Sequence, residues 1–158
     1  MGKDARKLLK VSLDEETVAA RNADVEHERQ VAIFDLLQEN DFALTNGEEG
    51  PYHLRLGIIE RRLSFDIRNP KNKQLAEIIL PLAPFRSVIR DYFTVCDAYY
   101  ESIKSASRAR IEAIDMGRRS LHGEGAEILR ERLARDISMD DNTSRRLFTL
   151  ICILHARG

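Results

Sequence analysis

Residues 52–81, YHLRLGIIERRLSFDIRNPKNKQLAEIILP, carry the pattern that decides the fold. Leu54, Leu56 and Ile58 alternate with His53, Arg55 and Gly57, and Leu63, Phe65 and Ile67 alternate with Ser64, Asp66 and Arg68. Successive side chains of a strand point to opposite faces, so this period of two predicts two strands, each with one buried and one solvated face. Glu60-Arg61-Arg62 reads as the turn between them. Asn69-Pro70-Lys71-Asn72-Lys73 reads as a stronger turn before a third strand at Leu75 to Leu80. A short strand at Phe42 to Thr45 precedes them, closed off by Asn46-Gly47-Glu48-Glu49-Gly50-Pro51. The expectation is an antiparallel meander of three to four strands with one buried face.

Outward from this meander the period changes to that of helices. Upstream, Leu8 to Leu13 reads as a strand, Asp14 as the cap of a short helix from Glu15 to Arg21, and Asp24 as the cap of a longer one through about Glu39. On that longer helix Val31, Phe34 and Leu37 share a sector with His27 and Gln30, which predicts a buried side with His27 as a structural histidine at its boundary. Downstream, Pro81 and Pro84 end the sheet. A strongly amphipathic helix from Phe85 to Ile103 follows, expected to cover the sheet with Cys96 as an inert thiol in its apolar sector. A helix from about Arg108 to Leu121 is expected to break at His122-Gly123-Glu124-Gly125 and resume through Arg135. After an acidic stretch, Asp136 to Asp141, a last helix from Asn142 to His155 is apolar all round and so should be enclosed. Strands followed by helices indicate α+β: an antiparallel meander covered by helices, with a helical C-terminal half. The single domain divides into an N-terminal arm or strand (1–13), helices (14–40), an antiparallel sheet (42–82) and helices (84–156).

Composition narrows the function classes. The 158 residues carry 25 Lys+Arg and 26 Asp+Glu, near neutrality, which disfavours a general nucleic-acid coat. Residues 1–50 hold six basic and twelve acidic residues, so the acidic surface is N-terminal. Arg108 to Arg135 contains seven Arg against five acids, too balanced for a phosphate-backbone track. Leu147 to Leu154 is the longest apolar run, far short of the roughly twenty residues of a bilayer span, and no secretory leader pattern opens the chain. A cytoplasmic protein with reduced thiols and no membrane partner is the expectation.

One polar constellation stands out. Asp115, Arg118 and His122 fall on or beside the apolar side set by Ile111, Ile114 and Leu121. Polar groups set among core residues must be paired or they destabilise the fold. With a helix restarting at Gly123-Glu124-Gly125, Arg118, Arg119 and His122 would stand beside free backbone N–H groups and could hold a phosphate or carboxylate, with Glu124 and Glu127 as acid/base groups. In the simpler alternative Asp115, Arg118 and His122 tie the helix to a neighbour and the glycines permit a kink. The first reading needs these side chains to converge on an open pocket, and pairing of Asp115 and Arg118 with each other or with buried backbone in place of that convergence excludes it. Asp115, His122 and Glu124 lack any metal-ligand spacing, and no P-loop, dinucleotide or hydrolase motif occurs, so no metal, cofactor or catalytic residue is expected.

Four segments carry a family resemblance: 24–29 (DVEHER), 50–52 (GPY), 110–119 (RIEAIDMGRR) and 145–152 (RRLFTLIC). Over Val11 to Gly158 the chain resembles an uncharacterised family of small alphaproteobacterial proteins. That resemblance implies a bacterial cytosolic origin and supplies no activity, cofactor or site residue. From the residues themselves, no nucleophile with its base can be named, which points to a small non-catalytic interaction or regulatory protein. Its partner is expected to be a protein, a second copy included. The alternative is an enzyme or binding protein for an anionic ligand at Arg118, Arg119 and His122, and the third is an RNA- or ribosome-associated factor.

Overall fold

In a computed structural model describing residues 4–14 and 23–156, the elements are β1 (Leu8–Leu13), α1 (Ala23–Gln38), β2 (Phe42–Leu44), β3 (Tyr52–Ile59), β4 (Arg62–Arg68), β5 (Gln74–Pro81), α2 (Ala83–Ser105), α3 (Arg108–Leu133), β6 (Ile137–Met139) and α4 (Asp141–Ala156). The α+β class is as expected. The expected short helix from Glu15 to Arg21 lies outside the described residues.

β3, β4 and β5 form the antiparallel meander, Leu56 facing Phe65 and Phe65 facing Ile78. The β3–β4 turn is shorter than expected: Arg62 already belongs to β4, and Glu60 and Arg61 take φ of 51° and 64°. That left-handed pair matches the twist of a two-residue hairpin.

The fourth strand is not Phe42–Leu44. The sheet order is β1-β3-β4-β5, with β1 parallel to β3, while β2 pairs antiparallel with β6 in a separate ribbon. β6 occupies Ile137–Met139, inside the acidic stretch Asp136 to Asp141, for which no strand is expected. Three residues are too few to show a period of two, and the pairing is set by sequence-distant partners, so β6 and its pairing with β2 give no local signal.

β1 carries a bulge. Its register with β3 runs Leu8↔Tyr52 and then Lys10↔His53, so Leu9 is the extra residue. The insertion keeps Leu8, Val11 and Leu13 in the core and turns Lys10 outward. Asn40 fixes this strand to the end of α1: its side-chain oxygen accepts from Leu8 N at 2.8 Å, and its amide donates to Leu8 O and Leu36 O.

The inner sheet face, Leu54, Leu56, Leu63, Phe65 and Ile67, is fully buried. α4 packs on α1, α3 and β3 and is enclosed as expected, with Leu147, Phe148, Leu150 and Ile151 inaccessible. α2 departs from expectation, because only Phe85, Val88 and Ile89 of its apolar sector are buried, while Tyr100 and Ile103 are exposed. Beyond its first turns it packs on α3 rather than covering the sheet. The expected apolar face of α1 is likewise displaced: Leu36 is buried, with Ala32, Ile33 and Leu37 against the core, while Val31 and Phe34 face outward.

α3 does not break at His122–Gly125. It runs uninterrupted for 26 residues, because its glycines serve close approach rather than a turn. A Cβ at Gly125 would lie 2.1 Å from Cζ of Phe148, and one at Gly123 would lie 2.9 Å from the Arg145 guanidinium. The glycine lets α4 seat against α3, and that packing offsets its intrinsic helix penalty of about 1 kcal/mol.

Two substitutions test this packing by urea denaturation. Gly125→Ala forces overpacking against Phe148 and should lower stability by about 1–3 kcal/mol. Gly117→Ala, with nothing within 4 Å of the added methyl, should raise it by about 0.5–1 kcal/mol. Equal effects at the two positions would contradict the packing.

Candidate functional site

On the continuous α3, Asp115, Arg118, Arg119 and His122 form one stripe at three- and four-residue spacing. Asp115 holds both arginines: Arg118 Nε donates to Oδ1 at 3.0 Å, and Arg119 Nε lies 3.2 Å from Oδ2. The Arg118 hydrogen bond holds the Asp115 carboxyl below its usual range and raises the arginine. Arg118 also stacks its guanidinium over the Tyr99 ring, 4.9 Å from the centroid. The Asp115–Arg118 pair is thus made within the helix, the arrangement that the structural reading required.

His122 points to α4. Its Nε2 is 2.8 Å from Thr149 Oγ1, and that hydroxyl donates to Arg145 O at 3.2 Å. The direction of the His122–Thr149 hydrogen bond follows the imidazole tautomer. The ring is flanked by Tyr92 and Phe148, with centroids at 5.5 and 5.3 Å. Burial lowers its pKa to about 4, helped by the positive charges of Arg145 and Arg118. His122 is therefore neutral at pH 7 and ties α3 to α4 through its hydrogen bond with Thr149.

Arg118, Arg119 and His122 do line an open cavity of about 260 Å³, together with Tyr92, Arg145 and Thr149. Arg145 in turn pairs with Asp141 at 3.0 Å. Glu124 and Glu127 take no part. Both are exposed, and at about 100° per residue they lie roughly 200° and 140° around the helix from His122. The free helix N-terminus expected at Gly123–Gly125 is absent because α3 is continuous there. Sequence reasoning missed Arg145, Thr149 and Tyr92. The i,i+4 pair on the last helix and the aromatic on α2 show their roles only once the helix packing is known.

A second, larger cleft of about 440 Å³ adjoins the first, sharing Tyr92 and Thr149. α1 supplies His27, Glu28, Val31, Ala32 and Asp35, α2 supplies Phe93, and α4 supplies Cys152 and Ile153. His27 is exposed at this cleft rather than held at a core boundary. Burial pushes the Cys152 thiol and, less strongly, the half-buried Cys96 thiol up, so neither carries thiolate character. Among the described residues no group of three or more His, Cys, Asp or Glu could hold a metal ion. No helix among them is long and apolar enough to cross a membrane.

A family model described as an uncharacterised protein family, UPF0262, matches residues 5–157. A UPF0262 protein of Rhodospirillum rubrum is 53% identical over 156 residues, covering 99% of this chain and 96% of its own length. One from Hyphomonas neptunium is 55% identical over 152 residues, covering 96% and 94%. One from Phenylobacterium zucineum is 53% identical over 161 residues and covers both chains fully. No solved structure matches the chain.

The histidine gives a pH test. Its folded pKa of about 4 lies below its ordinary 6.5, so the unfolded chain takes up the proton first. His122-linked stability is complete above about pH 6.5 and is lost as pH falls towards 4. With partial solvent access the loss is on the order of 1–3 kcal/mol. NMR titration should place the His122 midpoint near 4, and His122→Asn should remove that part of the pH dependence of urea unfolding. A midpoint at the ordinary 6.5 would contradict the buried, neutral assignment.

Proposed function

The chain belongs to the uncharacterised UPF0262 family, and from that starting point we propose that it is a small non-catalytic interaction protein whose α1 cleft receives a second copy of itself. The observation that carries this is on α1. Val31 and Phe34, which helical periodicity assigns to a core, are 43% and 62% exposed beside an apolar cleft. A bulky aromatic next to an empty apolar hole on the same helix is self-complementary under a two-fold axis. Phe34 of each copy enters the cleft of the other, as an isologous interface requires. Aromatic anchors in such pockets supply most of the binding energy at interfaces.

Charge supports the same occupant. The α1 side of the cleft carries Glu28 and Asp35, and the adjoining cavity carries Arg118, Arg119 and Arg145. A two-fold axis lays the acidic rim of one copy across the arginines of the other, which favours correct docking and its register. Cytoplasmic residence belongs to the same proposal, in keeping with two cysteines that are not joined in a disulfide.

A second reading has the arginine-lined cavity taking the carboxylate or phosphate of a small ligand, favoured by the convergence of Arg118, Arg119 and Arg145 on it. It is the weaker of the two because Asp115 and Asp141 already engage those cations. Glu124 and Glu127 supply it with no acid or base, since they face away.

Sedimentation velocity across the micromolar range tests the proposal. The expected result is a reversible dimer, and Phe34→Asp, at an exposed position, should give a folded monomer with an unchanged circular dichroism spectrum. A wild-type chain that stays monomeric throughout, or a Phe34→Asp variant that still dimerises, would overturn it.

A further inference from the structure

The two register irregularities of the four-stranded sheet bracket a single cross-strand row. β1 inserts Leu9 just before Lys10↔His53, and β5 inserts Leu75 between Ile67↔Ala76 and Arg68↔Gln74. The row between them runs Lys10, His53, Arg68, Gln74 across all four strands. Strict alternation from Leu8 would send Lys10 into the core, so the Leu9 bulge is what delivers this cation to the outer face. The next row adds Ser12, Arg55 and Asp66.

Of these, Lys10, Ser12, His53, Arg55, Asp66 and Arg68 surround a concavity of about 340 Å³ on the face that the described helices leave open. Lys10, Arg55 and Arg68 stand against one carboxylate, Asp66. That carboxylate is already engaged by Arg68 Nε at 3.1 Å and Gln74 Nε2 at 2.9 Å. Arg68 is braced further by donating Nη1 to Asn72 O at 3.0 Å. The Lys10 and Arg55 side chains have no hydrogen-bond or ion-pair partner among the described residues. Glu77, opposite Asp66 on β5, lies outside the concavity.

We propose that this concavity binds the phosphate group of a small phosphorylated molecule. Two unpartnered cations and a third held in place match a dianion, and the planar arginine fork suits phosphate oxygens. The strands fix the backbone from which all three cations project, and Arg68 is further held by Asp66 and Asn72, which limits the ordering that binding requires. A nucleic-acid strand fits less well, because it needs a track of phosphates and a continuing row of cations. The rows beyond carry Gly57, Ser64 and Ile79, then Ile59, Arg62 and Pro81, with a single further cation.

Amide NMR titrations with inorganic phosphate, ribose 5-phosphate and a single-stranded RNA oligonucleotide test this on the full chain. Saturable shifts at Lys10, Ser12, His53, Arg55 and Arg68 are expected with inorganic phosphate, and tighter ones with ribose 5-phosphate. Lys10→Gln and Arg55→Gln, both at exposed positions, should each weaken binding by about tenfold with an unchanged melting temperature. Absence of saturable shifts with both phosphates, binding that survives in the double variant, or engagement of this row by RNA alone would overturn the proposal.

Discussion

Where α3 crosses α4, Gly125 lies so close to the Phe148 ring that a side chain on it would displace one helix from the other. Ser144 Oγ, one turn before Phe148, donates to Ala126 O at 2.6 Å, so an apolar and a polar contact pin the same crossing. With that approach made, α4 can lie between α1, α3 and β3 and bury its apolar residues on every side. Burial of this kind is the dominant favourable term in folding, and here it depends on the absence of a single methyl group. The crossing also aligns the α3 stripe with α4, so that His122 meets Thr149 and the arginines of both helices border one cavity.

Much of this is legible in the sequence because it is local. The period-two runs at 52–68 mark the central hairpin, and the all-round apolar character of Leu147 to Leu154 marks an enclosed helix. Asp115 and Arg118, three residues apart, read as a pair and are one. What escapes is set by distant partners. Gly123 and Gly125 look like punctuation, because two glycines in a polar stretch usually signal a turn; only the Phe148 ring, 23 residues on from Gly125, shows that they serve contact. The β2–β6 ribbon escapes for the same reason, as do Arg145 and Thr149 as neighbours of His122. Val31 and Phe34 read as core because periodicity reports apolar faces without saying what covers them.

The two open surfaces differ in the state of their charges. Along α3 the two arginines of the stripe share the single carboxylate of Asp115, and the buried histidine is neutral, so the stripe keeps one uncompensated positive charge held in ion pairs. On the outer sheet face Lys10 and Arg55 have no partner among the described residues. Solvated cations on a rigid sheet cost the fold little. The cleft of α1 is apolar instead, so a second copy and a phosphate would occupy surfaces that do not overlap.

The helical half of the fold rests on α3 being one helix seated on α4, and native-state hydrogen exchange reads that directly. The amides of residues 119–127 should exchange slowly and with the same opening free energy as those of Leu147 to Ile151, as one cooperative unit. Fast exchange at Gly123 to Ala126, as at a helix terminus, with α4 still protected, would contradict the account.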